Sequence, residues 1–179
     1  MQRISFVAVS VLFLLAAHAV PPVHAQSSEE HAIVGAWSLN LIRSSFTPGP
    51  GPQAMTRLFQ FDDEGFLVAS RVTVDPNGSP NFALTRAKID GQDYPVWTTQ
   101  ALYGFITSEV RPGATGALDA PDDKTLRITQ KNAEGEVVPG SPNTWEVSAD
   151  GNTLTVTTMG TTLDGDPFHT VQVFDRVSN

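Results

Sequence analysis

The chain of 179 residues contains no cysteine. That excludes a disulfide framework, a lipoprotein anchor, a thiolate zinc site and a cysteine nucleophile. It also lacks excess positive charge: 11 Lys and Arg stand against 19 Asp and Glu, a net −8. Nucleic acid and anionic membrane surfaces want clustered Lys and Arg, so neither is an expected partner. No segment holds helical periodicity over three turns, and 13 prolines with 14 glycines punctuate the chain. The single long apolar run, Phe6 to Ala17, falls short of the roughly 20 residues that span a bilayer.

That run is an export signal. Arg3 supplies the basic start, Pro21-Pro22 breaks any helix, and Val23-His24-Ala25 offers a small residue for cleavage, with Ala17-His18-Ala19 as a second site. A cut after Ala25 is expected, giving a periplasmic or secreted protein that is not an integral membrane protein. Without Arg3, ten basic residues against 19 acidic ones leave the mature chain near −9. Residues 26–32 read as a polar leader and 33–179 as one domain. An exported domain without disulfides must be stable through its own core.

What is present is short strands separated by turns. Trp37, Leu39 and Leu41 alternate with Ser38 and Asn40, and Phe59 alternates with Phe61 before the turn Asp62-Asp63-Glu64-Gly65. Phe66, Val68, Val72 and Val74 follow, then the turn cluster Pro76-Asn77-Gly78-Ser79-Pro80. Phe82 to Ile89, Tyr94 to Thr99, Leu102 to Glu109, Thr125 to Gln130, Val137 through Val147, Thr153 to Met159 and Phe168 to Val177 complete the series. Thr47 to Gln53 and Arg111 to Asp123 read as irregular. About eight to ten strands in up-and-down order predict an all-β antiparallel barrel, since closure removes open edges.

The opening Gly35-Ala36-Trp37-Ser38-Leu39 resembles the G-x-W start of the lipocalins and fatty-acid-binding proteins, together the calycins. The close, Val171-Gln172-Val173-Phe174-Asp175-Arg176-Val177, resembles the last strand of the fatty-acid-binding proteins. The resemblance implies a lipocalin-like barrel with Gly35, Trp37 and Arg176 as its structural base, Arg176 lying across the Trp37 ring. It also implies a lipophilic ligand in the interior. The Arg and Tyr that hold a ligand carboxylate in fatty-acid-binding proteins fall on Gln172 and Phe174, so a neutral molecule is expected. A preference for acids would instead put another basic residue, Arg71 or Arg86, on the inward face.

Gln172, Phe174, Trp97, Tyr103 and Trp145 are the candidate ligand contacts, because a barrel's interior is its pocket. No catalytic residue, cofactor or metal site is expected. His169 is the one strand histidine and has no partner motif; His31 lies in the leader. The acidic clusters contain no D-x-D-x-D-G run for calcium, and Ser44, Ser45 and Ser70 lie in no G-x-S-x-G context. Two other readings stay open: a barrel filled by its own side chains and acting as an interaction protein, and a barrel enzyme working on a lipophilic substrate. The first would show no apolar cavity, and the second needs a polar pair with perturbed pKa values inside one.

Overall fold

A computed structural model describes residues 31–102, 105–162 and 164–178, with backbone alone for 97–102 and 105–112. Residues 1–30, which include the expected export signal, Tyr103 and the Trp97 side chain therefore lie outside the described residues. Among the described residues eleven strands form one antiparallel sheet: β1 (Gly35–Leu39), β2 (Ser45–Thr47), β3 (Ala54–Phe61), β4 (Leu67–Val74), β5 (Pro80–Ala87), β6 (Asp93–Leu102), β7 (Phe105–Asp119), β8 (Thr125–Lys131), β9 (Asn143–Val147), β10 (Thr153–Thr161) and β11 (Pro167–Arg176). From β3 to β11 each strand pairs with the next in sequence, and β1 pairs with both β3 and β11. The sheet thus closes on itself as an up-and-down barrel. Among the described residues no helix is long and apolar enough to cross a membrane.

β1 and β2 are one stave broken in two. Trp37 to Leu39 pair with Arg176 to Phe174, and Ser45 to Thr47 pair with Val171 to His169. Between them the chain leaves the ladder in a single 3-10 turn, Leu41–Arg43, capped by Asn40 Oδ1 accepting from the Arg43 amide. The Ser44 hydroxyl fills the gap, accepting from the Val173 amide at 2.9 Å and donating to the Asn40 carbonyl at 2.7 Å. Counting that stave once, the barrel has ten.

The turns follow from Asx chemistry. At the β3–β4 hairpin, Asp62 Oδ1 accepts from the amides of Glu64 and Phe66, while Gly65 takes the positive φ of 77° that the tight return requires. Two expected irregular segments are shorter than their sequence suggests. Pro48 to Gln53 alone links β2 to β3, and β7 runs through Arg111 to Asp119. Pro95 pairs with Thr115 and Trp97 with Val110, so residues 111–114 bulge opposite Val96 without ending the strand. Conversely, Val137 makes only an isolated bridge to Lys131, and β9 begins at Asn143.

One end of the barrel is sealed by a fully buried cluster of Ile33, Trp37, Leu67, Leu126, Leu154 and Phe174. His31, expected in a polar leader, is buried there too, and the Ala32 amide donates to the Asp123 carbonyl. Trp37 Nε1 donates to the Ile33 carbonyl at 2.8 Å, and the Arg176 guanidinium lies 4.1 Å from the Trp37 ring centroid. Arg176 also donates to the carbonyls of Gly151, Val34 and Ala32. Gly35 has φ 131°, and a Cβ there would stand 2.5 Å from Arg176 Nη1. Glycine is the residue that lets the backbone pass under the guanidinium.

Candidate ligand site in the barrel interior

Above this floor the barrel encloses a cavity of about 350 Å³. Small side chains on one wall leave the space open, Ala69 on β4 and Ala83 and Thr85 on β5. On five other strands an inward polar side chain stands beyond an apolar one along the barrel axis. On β3, Arg57 stands one inward step further from the floor than Phe59, and on β9 Asn143 stands above Trp145. The same step separates Gln130 from Ile128 on β8, Thr158 from Val156 on β10, and Gln172 from Phe174 on β11.

The inward face of β4 is opposite in phase to its apolar alternation. Leu67, Ala69, Arg71 and Thr73 share the inward phase, while Val72, one of the valines that suggested the strand, is exposed. Valine on the outer face satisfies the steric preference of a pleated strand; the inner face must leave room, and does so with alanine.

Arg57 and Arg71 are cross-strand partners on β3 and β4, and both line the cavity. Arg57 is only 7% exposed. Its guanidinium carbon lies 5.0 Å from the Trp145 ring centroid and 5.2 Å from that of Phe174, and Nη2 donates to Gln172 Oε1 at 3.2 Å. Neither Arg57 Nε nor Arg71 Nε has a hydrogen-bond partner, nor do Asn143 Oδ1 and Trp145 Nε1. Among the described lining residues none is Asp or Glu. Burial, with the Arg71 charge beside it, lowers the Arg57 guanidinium to about 9, so it is protonated at neutral pH. Burial also lowers Arg71, opposed by the charge of Asp75.

Of the residues singled out from sequence, Gln172 and Trp145 line the cavity, and Phe174 is buried one step beneath. The backbone of Trp97 lies in β6 opposite Leu84. Gly35, Trp37 and Arg176 meet at the sealed end. Arg86 faces away from the cavity, with Nε 2.7 Å from Asp62 and Nη2 2.8 Å from Glu64. His169 is exposed on β11. Arg57 escaped sequence reading although a signal existed: Phe59 and Phe61 already set the inward phase of β3, and Arg57 shares it.

The expectation of a neutral ligand rested on residues 172 and 174 alone. The guanidinium those positions lack arrives from β3, held against Gln172 itself.

No protein-family model matches the sequence, and no curated protein matches it. Among solved structures the chain is similar to the extracellular fatty acid binding protein As-p18, with 15% identity and a TM-score of 0.49 over 82% of this chain and 96% of that one. It is similar to the zebrafish ileal bile acid-binding protein crystallised with cholic acid, with 13% identity and a TM-score of 0.47 over 82% of this chain and 99% of that one. It is similar also to Rv2717c from M. tuberculosis, with 13% identity and a TM-score of 0.46 over 82% of this chain and 94% of that one. In its own geometry, a closed meander whose Gly-x-Trp segment lies beneath a C-terminal arginine, the chain has a calycin-like fold.

Proposed function

We propose that the protein is an exported binder of a small lipophilic molecule, held non-covalently in the barrel interior. The cavity carries the reading. Its volume of about 350 Å³ falls in the range of ligand pockets, and apolar side chains share its wall almost equally with polar ones, two guanidiniums among them. A barrel filled by its own side chains would carry bulk where Ala69 and Ala83 stand. General acid–base catalysis would need a group to exchange protons with substrate. Among the described lining residues the ionisable groups are the two guanidiniums, with no carboxylate or histidine beside them. Residues 1–25 support export, which predicts a mature chain starting at Gln26.

An environment-sensitive dye tests the reading. The wild-type protein should enhance its fluorescence, and lipophilic competitors should displace it. Ala69→Phe and Ala83→Phe, which fill the cavity from β4 and β5, should remove the enhancement while the barrel still melts cooperatively. Unchanged dye binding in folded variants of both kinds would place the dye elsewhere and overturn the reading.

A further inference from the structure

We infer that the interior site takes an amphiphile with an oxyanion head, seated between Arg57 and Arg71 with its apolar tail toward the sealed floor. This rests on reading the cavity as a ligand site.

The first support is a pair of like charges that the fold has no structural need for. Arg57 and Arg71 are in direct cross-strand register and both line the interior. Like charges placed directly opposite destabilise a sheet, and the effect grows as the surroundings become less polar. A barrel built for stability alone would carry apolar side chains at the two positions. Asp75, whose charge acts on Arg71, accepts on Oδ1 from Asn81 Nδ2 at 2.9 Å. Gln172, which accepts from Arg57, brings no charge. Both Nε donors remain without partners. A buried guanidinium with unsatisfied donors suits an oxyanion, which can accept two parallel charge-assisted hydrogen bonds.

The second support is the polarity gradient. On β3, β8, β9, β10 and β11 the inward polar side chain stands one step further from the floor than an apolar one. A ligand inverted head-down would set its charge against Phe59, Leu67 and Leu118, at the cost of an unpaired charge in an apolar site. Tail-down docking matches both halves. The volume lies at the low end of the usual pocket range, which favours a short chain or small ring system over a long acyl chain.

The test compares matched ligands on the full mature protein by titration calorimetry: octanoate and octyl sulfate against octanol and methyl octanoate, on wild type, Arg57→Met and Arg71→Met. The anions should bind wild type about tenfold to a hundredfold more tightly than the neutral partners, the range of a charge-assisted hydrogen bond. Arg57→Met should bring the anion and neutral affinities within about threefold of each other, and a cooperative melt shows that the variant is folded. Equal binding of octanoate and octanol by wild type would overturn the anion inference and leave the cavity reading standing. An anion preference retained in both variants would overturn the assignment to these arginines. Failure of every ligand to bind would overturn the cavity reading itself.

Discussion

Trp37 and Arg176 are cross-strand partners that close the barrel, the guanidinium 4.1 Å from the indole centroid and tied to three backbone carbonyls. The pair joins the first stave to the last, so it acts on closure as well as on local packing. Trp37→Ala should cost about 3–5 kcal/mol, as for other buried aromatic truncations. Arg176→Ala should cost less, and the two losses should couple in a double-mutant cycle measured by urea unfolding. Strictly additive losses would show that the stacked contact contributes nothing to stability.

Arg57 should oppose folding when no ligand is bound. Its folded pKa of about 9 lies below its ordinary value, so between the two the folded state binds fewer protons than the unfolded state. Its contribution to stability therefore rises as pH climbs past about 9, and at neutral pH the charged group is a net penalty. Arg57→Met should stabilise the unliganded barrel by about 1–4 kcal/mol at neutral pH, the range seen when buried charge gives way to apolar packing. The gap should narrow above pH 9. A less stable variant would show that Arg57 is a structural support.

His31 supplies the opposite end of the pH range. Burial lowers its pKa below the ordinary 6.5, against the raising pull of Asp123 and Asp122, and its Nδ1 accepts from the Ile33 amide. The folded state thus binds fewer protons in the window just below 6.5, and stability is lost as pH falls through it. His31→Gln should flatten that loss in melting curves taken across the window. An unchanged slope would show that the acid sensitivity arises in other groups.

The Pro48 to Gln53 loop should tolerate cutting at its tip. Pro48, Gly49 and Pro50 are exposed, and the prolines have no amide to give a ladder. Gln53 is anchored by its amide to the Val74 carbonyl, and a Cβ at Gly51 would collide with the Phe46 ring. An insertion between Gly49 and Pro50 should leave cooperative unfolding intact, whereas Gly51→Ala should displace Phe46 and lower the melting temperature. Loss of cooperativity on insertion would make the tip part of the barrel.

The architecture was legible because period-2 alternation and Asp-Gly or Asn-Gly turns are local signals, and each acts within a few residues. The resemblance at the two chain ends located Trp37 and Arg176. The phase of β4 was not legible, because both of its faces carry apolar residues: Val68 and Val72 on one, Leu67 and Ala69 on the other. Which face lines a cavity depends on the curvature of the whole sheet. Nothing local to His31 signals its burial, which depends on the backbone of Asp123, far along the chain. The bulge at residues 111–114 is indistinguishable from a loop in the sequence, because proline and glycine occur in both settings.

The most direct test of the interior site is native mass spectrometry of the protein purified from its source, repeated after delipidation and exposure to a mixture of octanoate and octanol. The account predicts one small lipophilic acid bound per chain from the source and octanoate selected from the mixture. A spectrum showing only the bare chain in both experiments would contradict it.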